Sequence, residues 1–529
     1  MNPPFSRTYP DLLRENAACR GDAPAAICGD RTVTYAELAA RAASVCARLR
    51  RLGIRRGARV GMIMSNRIEW LEICFGASMA GAVVVPFSTW STRKELEFLL
   101  PDSRVEVLFS LARFGDRDFL SDLTEIDVGD IDVVIVGATG GLPDGFGDFA
   151  SFSEEVASHD LLPPGEGPTA DDDALVLYTS GSTSAPKAVR LKQHGVVENG
   201  FNIGERQGLR PSDRVLLSAP LFWSYGGANA LPAAFTHGAC LVLLEKFDPA
   251  AALDAIERLG CTAIYTLPAM TSAMVRQEGF NLKRTASLRT GLTIGSPQEF
   301  MVAVEKLGVP ELCNIYGATE TYGNCAVTWH YWPVARRAAC QGFPLPGQEF
   351  RFRDEETGEL VAPGQPGLLE VRGYITPGYS GKSAELNAKV FTDDGFYCTG
   401  DLGRLDADGA FVFVGRSTEM IKRAGINVSP AEIEEVLLQH DKVARAAVIG
   451  VPDMERGEVI VAFVVENPGA GVSPEELVRH LKGQLSKYKI PDRIEICDAL
   501  PLTPTGKLHR KQLKASAIAL AGGKAEASS

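Results

Sequence analysis

The chain has 529 residues, 45% hydrophobic and 23% charged, with a formal net charge of −12. That length is too great for one core and predicts two or more domains, while the composition excludes a disordered chain. The acidic balance without a long Lys/Arg run argues against a nucleic-acid partner, and eleven scattered cysteines with no CxxC pair suit free thiols of a reducing cytoplasm better than disulfides or zinc.

In chain order, the opening MNPPFSRTYPDLLREN lacks the apolar segment of a signal peptide. The longest apolar stretch, Cys74 to Phe87, is broken by Gly76, Ser78, Gly81 and Pro86, so it reads as a buried helix and strand, not a membrane span. Short β-branched runs at 60–64, 82–85, 105–109, 133–136, 215–218 and 240–244 alternate with helix-like stretches, which predicts α/β layers with largely parallel sheet. Val136-Gly137-Ala138-Thr139-Gly140-Gly141 has the outline of a dinucleotide fingerprint. The following Leu142-Pro143-Asp144-Gly145 cannot open the helix that would hold a pyrophosphate, which disfavours a dehydrogenase. The seven histidines show no metal-ligand spacing.

The last part reads as a smaller α+β unit beginning near Gly415-Arg416-Ser417-Thr418. Ser429-Pro430-Ala431-Glu432 predicts a capping box, continued by Ile433, Val436, Leu437 and His440 at helical spacing. Strands are expected at 446–451 and 459–465, a second capped helix from Ser473, and a strand near 494–497. The Ala/Gly/Ser-rich tail 515–529 is expected to be disordered.

One loop stands out. After the apolar run 174–177 the chain spends Thr179, Ser180, Gly181, Ser182 and Thr183 on a turn and then places Lys187 behind Pro186. Backbone N–H groups and hydroxyls there can face phosphate oxygens, with Lys187 adding charge. A P-loop would need Gly before and Ser or Thr after the lysine, and Pro186 and Ala188 occupy those places.

The loop resembles the phosphate-binding signature of the adenylate-forming superfamily, which includes acyl-CoA synthetases, firefly-type luciferases and nonribosomal peptide adenylation domains. Further motifs match in the same order: Pro220-Leu221-Phe222 with Gly226, Tyr316-Gly317-Ala318-Thr319-Glu320, Tyr397-Cys398-Thr399-Gly400-Asp401, Gly415-Arg416, Ile421-Lys422 with Gly425, and Pro504-Thr505-Gly506-Lys507. The resemblance implies an α/β large N-terminal domain of layered sheets and helices over 1–417, with a smaller mobile α+β C-terminal domain over 418–514. It implies ATP, Mg2+ and coenzyme A as substrates and activating ion. In that family a carboxylate attacks the α-phosphorus of ATP and expels pyrophosphate, and a thiol then attacks the acyl-adenylate and expels AMP.

Carried over residue by residue, Lys507 bridges the incoming carboxylate and the α-phosphate, Thr319 bonds the α-phosphate, Glu320 holds magnesium, and Lys187 serves the phosphate loop. Asp401 accepts the ribose hydroxyls and Arg416 adds a donor, while Gly295, Ser296 and Pro297 lie along adenine with Tyr316 stacked opposite and Gly317 beside it. Thr418 takes the hinge position, and Lys422 and Gly425 face the site in the thioester-forming pose.

The chain departs from the family at Ser184, Ala188, Lys192-Gln193 and Thr418, where Gly, Gly, Thr-His and an Asp or Lys are usual. Three of these surround the phosphate loop. Weak adenylation, or use of a supplied adenylate, is therefore an alternative to tolerated drift. The acyl pocket is expected around Trp223, Ser224, Tyr225, Gly226, Gly227, Thr321, Tyr322 and Gly323. No acidic residue follows Phe222 to pair with an amine, and small residues with aromatic walls favour a bulky non-amino acid, aromatic or alicyclic. The acceptor is CoA or a carrier-protein phosphopantetheine, which present the same thiol. A noncatalytic protein of the same fold is the remaining alternative, opposed by Lys507 and Glu320.

Overall fold

The β-branched runs form strands because their side chains are buried on both faces, as parallel sheet covered by helices requires. The computed structural model describes residues 3–154, 167–179, 186–423, 426–453, 456–482, 484–485, 487–502 and 508–522. The strands Arg59–Ile63, Val83–Phe87, Val107–Leu111, Asp132–Val136, Arg214–Leu217 and Cys240–Leu243 each fall within two residues of the expectation.

Among the described residues, two large sheets carry the N-terminal part. One runs in parallel through Glu311–Tyr316, Thr290–Thr293, Ala263–Tyr265, Arg214–Leu217, Cys240–Leu243 and Pro24–Cys28. The other runs in parallel through Asp173–Thr179, Val83–Phe87, Arg59–Ile63, Val107–Leu111, Asp132–Val136 and Phe146–Asp148. Lys187–Lys192 and Tyr379–Ser380 are added antiparallel at its edge. A single hydrophobic core joins both sheets. Helix Ile68–Met79 lies in that core and is buried along its whole length, with Phe75 ring-to-ring against Tyr9 at 5.5 Å and Phe235 at 5.3 Å. Its last part, Cys74 to Met79, is the helix half of the apolar stretch Cys74 to Phe87, and strand Val83–Phe87 is the other. Among the described residues no helix is long and apolar enough to cross a membrane.

A third sheet, wholly antiparallel, was not legible in the sequence: Glu349–Arg353, Gly367–Arg372, Tyr397–Leu405 and Phe411–Arg416. The C-terminal unit has its own sheet and core, with helices Pro430–Leu438 and Pro474–Lys482 and strands Val443–Asp453, Gly457–Glu466 and Arg493–Ile496 where expected. The Val136–Gly141 run leads into the short strand Phe146–Asp148, so no dinucleotide helix opens there.

Two local expectations are corrected. Ser429 does not cap its helix; its hydroxyl donates instead to Val414 O at 2.9 Å, tying the helix start to the third sheet. At the second helix the cap forms, with Glu476 N–H donating to Ser473 Oγ at 3.2 Å. The tail is also not disordered throughout, because a helix spans Arg510–Gly522. Leu513 and Ala517, four residues apart, share one face and are buried against Ala447, Ile449, Val461 and Phe463. Alanine-rich composition here is helix-forming, and packing supplies the remainder.

The glycines expected to leave pocket space serve a different purpose. After Phe222 and Trp223 the chain makes a π-helical turn, Ser224–Ala230, of the wide kind common at functional sites. A Cβ on Gly226 would lie 2.3 Å from Pro220 O, and one on Gly227 would lie 2.4 Å from Leu221 O. The missing side chains admit neighbouring backbone, not ligand. Gly226→Ala is therefore expected to cost about 2 kcal/mol or more, seen as a lowered melting temperature. Gly140→Ala, where nothing lies within 4 Å, should melt unchanged.

Candidate active site

The site elements leave the carboxyl ends of parallel strands, where open α/β sheets bind ligands. Strand Asp173–Thr179 pairs antiparallel with Lys187–Lys192 in a register that sets Thr179 opposite Lys187, so the intervening loop is pinned at both ends. Ser180, Gly181, Ser182 and Thr183 lie outside the described residues, as do Ser184, Gly425 and Lys507. Tyr178 anchors the hairpin, donating its hydroxyl to Asp102 Oδ2 at 2.7 Å.

From strand Glu311–Tyr316 the chain turns sharply at Gly317, where a Cβ would meet Gly323 O at 2.4 Å, and makes one tight turn at Thr319–Thr321. Ala318 N–H donates to Thr321 Oγ1 at 3.0 Å, so the Thr321 hydroxyl serves the turn. Thr319 Oγ1 donates to Ser224 Oγ at 3.0 Å, linking the expected phosphate donor to the acyl segment. Glu320 is 7% exposed. Its Oε1 accepts the Tyr379 hydroxyl at 2.8 Å, and its carbonyl accepts Thr376 N–H at 2.7 Å.

The nucleotide-side residues also come together. Tyr316 donates its hydroxyl to Asp401 Oδ2 at 2.6 Å, and its ring lies 4.6 Å from Phe411 and 5.8 Å from Phe413. Asp401 and Arg416 are directly opposite across the antiparallel pair of Tyr397–Leu405 and Phe411–Arg416. Arg416 Nε stands 3.1 Å from Asp401 Oδ1, a charge contact without hydrogen-bond alignment, so that buried oxygen has no hydrogen-bond donor. Burial pushes the Asp401 carboxyl above the usual carboxylate range, against the opposing pull of Arg416 and the Tyr316 hydroxyl. An orphaned buried oxygen beside a buried aromatic fits a ligand that brings hydroxyl donors, as a ribose does. Gly295, Ser296 and Pro297 open the short helix Pro297–Met301, with Ser296 Oγ accepting Glu299 N–H at 3.3 Å and Ser296 N–H donating to Glu299 Oε2 at 2.8 Å.

At the acyl end Trp223 meets Trp90 edge-to-face at 5.1 Å, and Phe222 meets Trp90 at 5.4 Å. Trp90, 39% exposed, follows strand Val83–Phe87 of the other sheet, so this aromatic cluster bridges the two sheets. Sequence reading missed it, since nothing local marks residue 90 as a neighbour of 223. Tyr225, expected as a pocket wall, is tied down by its hydroxyl, which donates to Leu292 O at 2.9 Å and Thr266 O at 3.2 Å. Tyr322 is a core residue, 1% exposed, with its hydroxyl accepting Lys192 N–H at 2.9 Å and its ring against Gly195. Gly323, with φ +90°, allows the turn back toward Asn324.

Thr418 sits in the turn Ser417–Glu419 directly after strand Phe411–Arg416, and Lys422 lies on strand Ile421–Arg423. Among the described residues no group of three His, Cys, Asp or Glu is placed to hold a metal. The groups here are oxygens: the Glu320 carboxylate with the Tyr379 hydroxyl on it, and the hydroxyl of its chain neighbour Thr319 bonded to Ser224. Such a set suits a hard cation that takes its other ligands from phosphates, as Mg2+ does.

Comparison with known proteins agrees with this arrangement. The family model described as AMP-binding enzyme matches residues 13–380, and that of the AMP-binding enzyme C-terminal domain matches 432–507. The chain is 32% identical to a feruloyl-CoA synthase of Amycolatopsis sp, covering 92% of this chain and 94% of the relative. It is 33% identical to the fatty acid–[acyl-carrier-protein] ligase ScoC of Streptomyces coeruleorubidus, covering 93% of each. The solved anthranilate CoA ligase AuaEII, in complex with anthranoyl-AMP, superposes with a TM-score of 0.87 at 28% identity, covering 98% of this chain and 99% of that one. With both family domains matched in order and relatives above 30% identity over nine-tenths of the chain, the chain belongs to the AMP-binding enzyme family, the adenylate-forming superfamily.

Proposed function

We propose that this AMP-forming acid–thiol ligase activates a bulky carboxylic acid without an amino group, aromatic or alicyclic, and transfers it to the thiol of coenzyme A. One observation carries the reading. Strand Glu311–Tyr316 ends in Tyr316, hydrogen-bonded to Asp401, and the turn three residues on holds Thr319 and Glu320. The residues that this reading casts as ribose acceptor, phosphate donor and metal carboxylate are thus tied to one strand end, Asp401 through its bond to Tyr316.

In this reading Asp401 accepts the ribose hydroxyls, Arg416 adds a donor, and Tyr316 backs the base. Thr319, whose one hydroxyl proton goes to Ser224 Oγ in the free protein, turns that proton to the α-phosphate and accepts from Ser224 in return, and Glu320 would hold Mg2+, which when bound neutralises phosphate charge as the carboxylate attacks. Lys187 serves the outer phosphates. Lys507 comes from the C-terminal unit, which turns about Thr418 between half-reactions and brings Lys422 and Gly425 to the site for thioester formation. We place the boundary between moving parts at 417/418. The Trp90–Trp223–Phe222 cluster supports a large flat acyl group, as does likeness to an enzyme solved with anthranoyl-AMP. Likeness to ScoC supports the second reading, a carrier protein as acceptor.

Two departures from the family pattern have structural explanations that support retained adenylation. Ala188 lies in a strand, where a methyl is tolerated, and its N–H donates to Ser383 Oγ at 3.1 Å. Gln193 is buried, accepting Tyr9 N–H at 3.0 Å and donating to Ser78 Oγ at 3.0 Å. Both serve packing.

Acid-dependent exchange of pyrophosphate into ATP tests the reading, with a panel of acids and with CoA against a loaded carrier protein. Robust exchange is expected, and Lys507→Ala should lower it about 100- to 1,000-fold while leaving thioester formation from a supplied adenylate largely intact. Absent exchange alongside consumption of supplied adenylate would favour the weak-adenylation alternative.

Asp401 also gives a pH signature. Its raised carboxyl takes up a proton as the pH falls, and the protonated form is a poorer acceptor. AMP affinity is expected to fall as the pH drops from neutral into the range where this raised carboxyl is protonated, a range displaced upward from that of an ordinary carboxylate. Asp401→Asn should bind roughly 10- to 100-fold more weakly with a flatter profile, both measured by calorimetry.

A further inference from the structure

Glu320 and Lys187 carry opposite charges, and a single side chain touches both. Tyr379 is 2% exposed and sits on the edge strand Tyr379–Ser380, in register with Val189 two residues beyond Lys187. Its hydroxyl donates to Glu320 Oε1 at 2.8 Å, and Lys187 Nζ lies over its ring, 5.6 Å from the centroid. Both distances fall in the range of real interactions, a charge-assisted hydrogen bond and a cation–π contact.

The segment before Tyr379 strengthens the hold. Thr376 N–H donates to Glu320 O at 2.7 Å, and Thr376 Oγ1 donates to Arg190 O at 2.6 Å on the strand that begins with Lys187. Residues 376–379 thus grip Glu320 by backbone and side chain while fastened to the lysine's own strand. Among the described residues, Lys187 and Glu320 form no ion pair with each other, although Glu320 is buried and Lys187 half-buried, which strengthens their attraction. A closed pair would occupy both the ammonium needed by phosphate and the carboxylate needed by metal.

We propose that Tyr379 is a positioning residue that keeps these two charges apart and aims them. The ring gives the ammonium a face to rest on, and the hydroxyl engages Oε1, directing the other carboxylate oxygen, Oε2, to the cation. This inference rests on the adenylation reading above and adds to it the device that keeps the polyphosphate site open before substrate arrives.

The test is calorimetric titration of the full chain with α,β-methylene ATP, with and without saturating Mg2+, beside melting curves. Tyr379→Phe keeps the ring, so metal-free affinity should stay within about twofold of the unaltered protein, while the gain from Mg2+ shrinks about five- to tenfold. Tyr379→Leu removes the spacer, and metal-free affinity should fall about tenfold as Lys187 closes onto Glu320. Adding Glu320→Gln to Tyr379→Leu removes the attraction and should restore metal-free affinity, a recovery that a merely structural tyrosine does not give. An unchanged Mg2+ gain in Tyr379→Phe overturns the inference, as does absent recovery in the double variant. If the leucine variant does not fold, the phenylalanine variant decides alone. No binding of the analogue by the unaltered protein in either condition overturns the adenylation reading itself and takes this inference with it.

Discussion

Two carboxylates, Asp401 and Glu320, are held in the interior at 4% and 7% exposure, and the rest of the site is arranged around making that tolerable. Burying a charge is expensive unless donors surround it. Here much of the compensation comes from tyrosine hydroxyls, Tyr316 on Asp401 and Tyr379 on Glu320, with Arg416 close to Asp401. A phenol satisfies one oxygen and leaves the carboxylate charged, which an arginine clamp on both oxygens would largely cancel. The outcome is a pair of acceptors prepared for a ligand's donors and a cation, at some cost to the free protein.

That arrangement needs parts from far apart in the chain. Glu320 follows a strand of one parallel sheet and Tyr379 lies on the edge of the other, while Asp401 belongs to the third sheet, which was not foreseen. The shared core with helix Ile68–Met79 inside it fixes the two large sheets against each other, so the strand ends meet without a flexible connection. The Trp90–Trp223 contact repeats the pattern at the acyl end. A rigid arrangement of this kind supplies orientation, and in the proposed reading the C-terminal unit supplies the remaining cation.

Legibility in the sequence followed the range of the physics. The buried parallel strands were readable because they are continuous β-branched runs, and the C-terminal helices because Leu477 and Leu481, or Ile433 and Leu437, recur at helical spacing. The motif residues were readable by resemblance. The third sheet was not, since strands such as Glu349–Arg353 alternate arginine and phenylalanine without an apolar run. Tyr379 meets Glu320 and Trp90 meets Trp223 across more than fifty residues of sequence, and Gly226 looks like pocket space until Pro220 O is found against it. Ser429 carried a true cap signature, but tertiary contact with Val414 prevailed over the local one.

If buried charge is the constraint that organises the site, function and stability must oppose each other at Asp401. Its raised carboxyl means that ionisation costs the free protein stability as the pH rises through the carboxylate range, a cost fully present above the raised value. The most direct measurement is the melting temperature of Asp401→Asn beside the unaltered protein at neutral pH, each with and without AMP. This account predicts that the variant melts at or above the unaltered protein when free and loses most of the upward shift caused by AMP. A variant that melts lower when free yet keeps the full AMP shift would contradict it.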